Sequence, residues 1–324
     1  MAAGTPAIAV RDLTVRIGGR VVLEQVGFTA PKGAITVLAG DNESGATTAI
    51  KAVAGIERAA GGTVEIDGKD VTKLRAGRRN VALVFETHAL FPHMTVFENV
   101  AYPLRVAKLG HEAIARRVGE VAELLGFTHV LNERPREVPE GLKRRAGLAR
   151  AVVREPVAYL FDRPLSSLDD DYRGAARGVI AFLRERFNAT ILMPSGDGEE
   201  AARLADRLVV MSAGSVLQEG AAATVRAAPV SLEVAQRVIV PPLVLRDAGI
   251  AGIEPAGLRI RTSEGRVLLL PVEPGDAEIG ERVSLGVVPS RLRQAGWDAL
   301  PPDVFLLFDS TGRGFPRRDG PASG

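Results

Sequence analysis

The chain carries between residues 40 and 47 the glycine and hydroxyl spacing that proteins use to bind phosphate. Gly40 and Gly45 are followed by Thr47, which matches the pattern G-x-x-x-x-G-K-[ST] at three of its four defining positions. In that pattern backbone amides surround phosphate oxygens, the lysine contacts the terminal phosphates and the hydroxyl binds Mg²⁺. Ala46 stands in place of the lysine, so the loop keeps its spacing and loses its cation.

Two interpretations of this loop remain open from the residues alone. Asp41 and Glu43 add carboxylates beside an anionic ligand, and Lys51, about 7.5 Å along the next helix, is a poor substitute for the lysine. The loop is either a turn that binds nothing or a weak ATP site made by backbone amides and the helix N-terminus. The second interpretation assigns nucleotide binding to Gly40, Asn42, Ser44, Gly45, Ala46, Thr47 and Thr48.

Composition limits what chemistry the rest of the chain can add. The 324 residues include no cysteine, which excludes disulfides, thiol nucleophiles and cysteine metal sites. The net charge is +2 and no basic cluster is interleaved with aromatics, so nucleic-acid binding is not predicted. The first ten residues do not resemble a signal peptide. No apolar run approaches the roughly 18 residues of a spanning helix, so we expect any membrane association to depend on a partner.

Apolar strands alternate with helical patterns through the first two thirds of the chain. The loop follows the strand 35–39 and precedes a helix, and a buried strand at 157–161 ends at Asp162. Gly18-Gly19 and Asp67-Gly68 are typical of hairpin turns. Further helices are predicted at about 95–126, 142–154, 168–187 and 198–206. This alternation predicts a parallel sheet covered on both faces.

The pattern changes near residue 236, after which the chain is strand-like and rich in glycine and proline. We predict a domain boundary at about 235–240, between a first domain at 6–235 and a second at 236–316. Residues 317–324 are polar and small, and we predict that this tail is disordered.

Several segments resemble, in the right order, the ATP-binding subunits of carbohydrate-type ABC importers of the maltose and glycerol-phosphate kind. Four of them lie in the first domain: HALFPHMTVFENVAYPLR (88–105), GLARAVVREP (147–156), FDRPLSSLDDDYR (161–173) and EEAARLADRLVVMSAGSVLQEG (199–220). RVSLGVVPSRL and VFLLFDSTGRGFP resemble the TOBE domain, an OB-like β module. The resemblance implies an α/β, ABC-type P-loop nucleotide-binding domain with antiparallel β and helical subdomains, followed by a small β-rich, TOBE-like domain.

The resemblance also implies ligands and partners. ATP and Mg²⁺ are the cofactors of the family, although the altered loop puts their binding in doubt. The chain is expected to dimerise, with itself or with a second ABC ATPase, beneath transmembrane permease subunits. The family location is cytoplasmic and peripheral, at the inner face of the cell membrane, and residues 86–105 are the expected docking segment.

Residue by residue, the resemblance places Ile17 where an aromatic ring stacks on adenine. Glu86 takes the place of the glutamine that contacts Mg²⁺ and the attacking water. Asp162 matches the Walker B aspartate, so the predicted metal ligands are Thr47, Glu86 and Asp162. Arg163 occupies the position of the catalytic glutamate, and an arginine stays protonated and is no base.

Three further family motifs lie downstream. Gly196 stands where the switch histidine would hold the γ-phosphate, so neither it nor Arg163 is assigned a catalytic role. The signature motif L-S-G-G-Q is replaced by Val138, Pro139, Glu140, Gly141 and Leu142, in which Pro139 lacks both a hydroxyl and an N–H. The D-loop residues Ser167, Leu168 and Asp169 match the family.

Three hypotheses of function follow. The first is a hydrolysis-impaired subunit that works as the degenerate partner of an intact ATPase, although both halves of its composite sites are altered. The second is an ATP-independent structural or regulatory subunit. The third is an active ATPase with unusual site residues, such as Glu86 and Arg163.

Overall fold

A computed structural model describes residues 5–85, 90–162, 170–240, 242–289, 291, 297 and 300–317. The chain separates into two compact units. The first comprises Met1–Thr36 and Gly45–Pro194, and the second comprises Val37–Ser44 and Ser195–Gly324. The domain limits 6–235 and 236–316 stay a prediction.

The elements alternate along the described residues much as the sequence predicts. The strands are β1 (Ile8–Ile17), β2 (Arg20–Ala30), β3 (Ile35–Ala39), β4 (Ala59–Ile66), β5 (Lys69–Asp70), β6 (Val81–Phe85), β7 (Ala158–Asp162), β8 (Ile191–Ser195), β9 (Arg207–Ser212), β10 (Ser215–Ala221), β11 (Val244–Glu254), β12 (Gly257–Thr262), β13 (Val267–Leu270), β14 (Arg282–Val287) and β15 (Leu306–Asp309). The helices are α1 (Ala46–Ala54), α2 (Val96–Val106), α3 (His111–Leu124), α4 (Glu140–Val152), α5 (Asp170–Phe187), α6 (Gly198–Leu204), α7 (Ala222–Ala227) and α8 (Leu232–Val238). None of them is long and apolar enough, over the described residues, to cross a membrane.

An antiparallel sheet with the order β2-β1-β4-β5 lies in the first unit. Its two predicted hairpins are confirmed. Gly18 and Gly19 join β1 to β2 with φ values of 56° and 81°, and Asp67 and Gly68 join β4 to β5 with 50° and 74°. Such left-handed pairs follow the twist of the flanking strands, which is why glycine-containing dipeptides mark these turns in the sequence.

Six strands form a second sheet in the order β10-β9-β3-β8-β7-β6. β6, β7 and β8 pair in parallel, with Val81 opposite Ala158 and Tyr159 opposite Ile191. The side chains of β3 and β8 are buried throughout, as expected for strands covered on both faces. The predicted parallel sheet is therefore confirmed.

Helices α2, α3 and α4 enclose a core of their own within the first unit. Its fully buried members include Val100, Val118, Phe127 and Ala146. The prediction of continuous helix over 95–126 is wrong at one point, because α2 ends at Val106 and α3 begins at His111. Lys108, with a φ of 60°, lies in the turn between the two helices and interrupts them.

Arg79 is a buried arginine that holds the C-terminal end of α1. It is 4% exposed, and its guanidinium donates to the carbonyl oxygens of Ala52 and Val53 at 2.8 and 3.1 Å. Further bonds run to Thr72 and Leu74 at 2.9 Å each. The last carbonyls of a helix have no partner inside it, so Arg79 ties α1 to the segment before β6.

The second unit contains a five-stranded antiparallel sheet with the order β13-β12-β11-β14-β15. One face of this sheet is buried by a core that includes Ile250, Leu258, Ile260, Leu285 and Phe305. The predicted β-rich C-terminal part is therefore confirmed, and its assignment to the TOBE type stays a prediction.

Candidate nucleotide-binding site

The loop that starts at Gly40 runs between β3 and α1, and its glycines are required by geometry. A Cβ on Gly40 would lie 2.5 Å from the Ser44 side chain and 2.7 Å from the Met211 carbonyl oxygen, which leaves room for glycine alone. Gly45 is the N-cap of α1 and adopts a φ of 87°, a conformation that costs other residues energy. The loop thus keeps the backbone constraints of a phosphate-binding turn.

The N-terminus of α1 would attract an anion through the helix dipole alone, because the lysine of the motif is replaced by Ala46. No side chain caps this helix, and its first turn contains no acidic residue. Ala46, at the position of the missing lysine, is 5% exposed, and Thr47 and Thr48 are half-buried. The positive end of the dipole, together with the Thr47 hydroxyl, favours a phosphate group. No side-chain charge at residue 46 adds to it.

Lys51 lies beside Asp162 at the end of β7. Its Nζ is 3.9 Å from Asp162 Oδ2, and the two side chains are 36% and 15% exposed. Asp162 Oδ1 is buried and accepts no hydrogen bond in the described part of the chain. A buried acceptor without a donor is costly, and it is the kind of oxygen that a metal ion coordinates.

The donor set fits Mg²⁺ only in combination with a ligand. No group of three His, Asp or Glu among the described residues could hold a metal ion. Mg²⁺ is commonly held by one or two carboxylates together with substrate phosphates. Asp162 and the Thr47 hydroxyl supply that minimum, so the residues present fit a Mg²⁺–phosphate ligand more readily than the metal alone.

Asp41 is paired with Arg237, a contact that sequence analysis missed. Arg237 donates to Asp41 Oδ2 at 3.0 Å and to Glu233 Oε1 at 3.1 Å. The hydrogen bond from Arg237 is the main cause that lowers the pKa of Asp41 below its ordinary value. The pKa of Glu233 is lowered first by a hydrogen bond from Ser212 and then by Arg237. Arg237 therefore offsets part of the negative charge that Asp41 brings to the loop, since the same guanidinium also pairs with Glu233.

The switch-histidine position lies at the end of β8, beside the start of the loop. Gly40 N donates to the Ser195 carbonyl oxygen at 3.0 Å, and a Cβ on Gly196 would come within 3.4 Å of the Gly40 carbonyl oxygen. Asp197 caps α6 by accepting from the backbone of Glu199 at 2.8 Å. Gly196 has no side chain that could hold a phosphate in place of the histidine.

The replaced signature motif forms the start of α4. Pro139 is its N-cap and makes no side-chain capping bond, and Val138 is buried. Glu140, the first residue of the helix, lies 3.3 Å from Lys143. Gly141 is exposed, and Leu142 packs against the helical core. Pro139 thus stands where the family motif has a serine hydroxyl, and Glu140 places a carboxylate at the next position, where the motif has a glycine.

The remaining predicted site residues are less informative. Ile17 lies at the end of β1 and is 44% exposed, an accessibility compatible with a base packing on it. Glu86, Arg163, Ser167, Leu168 and Asp169 lie outside the described residues, so their roles stay predictions.

Comparison with solved structures defines the fold. The fold matches cbiO1 from Clostridium perfringens, part of the ABC transporter complex cbiONQ, with a TM-score of 0.60 and 23% identity. That match covers 67% of this chain and 88% of cbiO1. A second structure, an ATP-binding subunit of an ABC transporter, matches with a TM-score of 0.59 and 25% identity over 68% of this chain and 92% of its own.

Sequence relatives identify the family. The family model described as ABC transporter matches residues 23–166. The sn-glycerol-3-phosphate import ATP-binding protein UgpC of Yersinia pseudotuberculosis is 37% identical over 84% of this chain and 75% of that protein. UgpC 1 of Rhizobium johnstonii is also 37% identical, over 90% and 78% respectively. The chain belongs to the ABC transporter family, among the ATP-binding proteins of the carbohydrate and glycerol-phosphate import type, as its sequence resemblance predicted.

Proposed function

We propose that this chain is an ATP-binding subunit of an importer for a sugar or a glycerol phosphate, and that its own hydrolysis of ATP is strongly impaired. The observation that carries the second part is Ala46, which puts a buried methyl group where the phosphate-binding lysine belongs. The import of a glycerol phosphate is inferred from relatives that are named for it.

The size of the expected effect follows from the number of groups replaced. Losing one preorganised charge or donor costs a factor of about 10²–10³ in rate. The chain departs at the lysine, the signature, the Walker B base and the switch histidine, which are Ala46, Pro139, Arg163 and Gly196. Such losses are not additive, but two or three of them are enough to bring a slow ATPase near the uncatalysed rate.

Nucleotide binding rests on what the loop retains. Gly45 and the N-terminus of α1 would face the phosphates, while the Thr47 hydroxyl and Asp162 would hold Mg²⁺. When bound there, Mg²⁺ would neutralise part of the negative charge of the nucleotide phosphates. Lys51 lies against the same carboxylate, so it competes with the metal for Asp162 and weakens binding further.

The arrangement that we propose is a dimer beneath two transmembrane subunits, at the inner face of the cell membrane. The partner of this chain in that dimer is a second ABC ATPase with intact motifs, which drives transport. Residues 86–105 form the docking segment. Co-purification of an intact ATP-binding chain with this one would support the arrangement, and a homodimer that supports transport alone would contradict it.

Restoring the lysine tests the role of residue 46 directly. We expect the Ala46→Lys variant to bind Mg-ATP at least about tenfold more tightly than the wild type, because it adds a charge-assisted contact to the terminal phosphates. The measurement is isothermal titration of Mg-ATP onto the purified chain. Ala46→Met is the matched control, since it adds similar length without charge and should leave the affinity weak.

Equal affinities of the wild type and Ala46→Lys for Mg-ATP would contradict the proposal. Tight binding by the unmodified chain would do the same, because it would show that residue 46 is not what limits the site.

A further inference from the structure

The outer face of the C-terminal sheet contains a pocket that the nucleotide chemistry does not use. Its volume is about 710 Å³, and β11, β12 and β14 supply most of its lining. The opposite face of the same strands is buried, with Ile250, Ile260 and Val283 pointing into the core. The lining of the pocket combines outward-facing residues, such as Arg261 and Arg282, with core-facing neighbours on the same strands, including Ile250 and Val283.

Two arginines in this pocket differ in their contacts from Arg246, Arg259 and Arg266, which lie on β11, on β12 and in the turn between β12 and β13. Arg246 pairs with Glu264 at 2.5 Å and Arg259 pairs with Glu254. Arg266 donates to the carbonyl oxygen of Leu300 at 3.1 Å. The two that line the pocket, Arg261 and Arg282, have no acidic partner within 4.0 Å in the part of the chain that the structure describes.

The strand register brings these two arginines to either side of a glycine. Gly249 on β11 lies opposite Arg261 on β12 and opposite Arg282 on β14. Residues paired across antiparallel strands point to the same face, so both guanidinium groups rise on either side of a position without a side chain. A glycine inside a strand often marks a site where a ligand approaches the backbone closely.

Four other lining residues have side chains that can bind hydroxyls, beside apolar ones such as Ile279. Ser263, Ser284 and Ser310 supply hydroxyl groups that can donate or accept, and Asp247 can accept from a sugar or polyol hydroxyl. Asp247 lies opposite Ser284 and two residues before Gly249 on the same face. A carboxylate at this place disfavours a polyanion such as a triphosphate and favours a ligand with one anionic group and several hydroxyls.

We propose that this pocket binds the phosphate monoester of a small polyol or sugar, with Arg261 and Arg282 on the phosphate and Asp247 on the hydroxyls. Arginine is suited to phosphate because its planar donors form two parallel bonds. The pocket volume is within the range that small-molecule sites occupy. The pocket shares no lining residue with the loop at 40–47. It would give the C-terminal sheet a small-molecule ligand of its own.

The test is isothermal titration of the full chain with three probes: sn-glycerol 3-phosphate, inorganic phosphate and glycerol. We expect the ester to bind, inorganic phosphate to bind more weakly because it reaches no hydroxyl contacts, and glycerol not to bind. Arg261→Gln and Arg282→Gln should each weaken the ester by about tenfold, since each removes one charged hydrogen-bonding group.

Two further variants distinguish a specific binding site from general attraction between arginine side chains and an anion. Gly249→Leu places a side chain between Arg261 and Arg282 and leaves both arginines in place. The Cβ of residue 249 would meet only the Glu281 carbonyl oxygen, at an ordinary 3.6 Å. The fold should therefore tolerate the change while ester binding is lost. Arg259→Gln removes the same charge from β12 outside the pocket lining, and it should leave ester binding unchanged. Thermal unfolding of each variant, followed by circular dichroism, checks that the fold is retained.

The outcomes are distinct from those of the ATP experiments. Absence of binding by the ester at millimolar concentration overturns the proposal, as do equal losses in Arg259→Gln and Arg261→Gln. Equal affinities for inorganic phosphate and the ester overturn the assignment to an ester. If Gly249→Leu unfolds, the comparison of Arg261→Gln with Arg259→Gln still decides.

Discussion

At the scale of single residues, Asp41 shows how one distant side chain alters a phosphate-binding loop. Its carboxylate would repel an anion, but Arg237 donates to it at 3.0 Å from 196 positions further along the chain. No spacing rule connects two such positions, so the pair could not be predicted from sequence. The loss of the lysine at Ala46 was directly readable, because it lies inside a motif of fixed length.

The Asp41–Arg237 pair makes stability depend on pH in a defined direction. The pKa of Asp41 is lowered in the folded chain, chiefly by the Arg237 hydrogen bond. Its contribution is therefore fully present above the ordinary pKa of 3.8 and is lost as the pH falls through the lower folded value. We expect Asp41→Asn to lower the free energy of unfolding by less than about 1 kcal/mol at pH 7, because the carboxylate is largely exposed.

Urea unfolding of wild type and Asp41→Asn at pH 7, 5 and 3.5 measures this effect. The urea midpoint of the wild type should exceed that of Asp41→Asn by the same amount at pH 7 and pH 5, and by a smaller amount at pH 3.5. Glu43→Gln, a neighbouring exposed carboxylate, is the control and should change little at any of the three. A difference that stays constant down to pH 3.5 would contradict the ion pair.

At the scale of elements, the fold was predictable where side-chain periodicity is strong. The buried strand ending at Asp162 and the hairpins at Gly18-Gly19 and Asp67-Gly68 came directly from residue patterns. The break between α2 and α3 was missed because a lysine is not a typical residue at positive φ, which Lys108 adopts in the turn. The anchoring of α1 by Arg79 was missed because an arginine in a loop predicts exposure.

Arg79 should be among the most important residues for holding α1 in place. We expect Arg79→Met to lower the free energy of unfolding by about 3 kcal/mol, since it removes charged hydrogen bonds and leaves buried carbonyl groups unpaired. The adjacent Arg78 is exposed, so Arg78→Met is the matched control and should change stability by less than about 0.5 kcal/mol. Chemical denaturation compares the two variants, and equal effects would show that Arg79 does not hold α1.

At the scale of the whole molecule, the family could be predicted while the chemistry had to be argued residue by residue. Segments that resemble the family, and follow one another in the family's order over nearly the whole chain, predicted an ABC ATP-binding protein. The relatives of the chain confirm this prediction. The functional site could be predicted only in part from the sequence. The assignment of Thr47 and Asp162 as metal ligands stays a prediction, and Asp162 Oδ1 is a buried acceptor without a hydrogen-bond partner among the described residues. The Lys51–Asp162 contact appears only in three dimensions.

The molecule has the fold of an ABC ATP-binding subunit, and the central proposal is that its own hydrolysis of ATP is strongly impaired. The most direct measurement is phosphate release by the purified chain at saturating Mg-ATP, compared with Asp162→Ala prepared in parallel. The account predicts that both proteins release phosphate at the same rate, indistinguishable from buffer with Mg-ATP. Sustained release by the wild type that disappears in Asp162→Ala would contradict it.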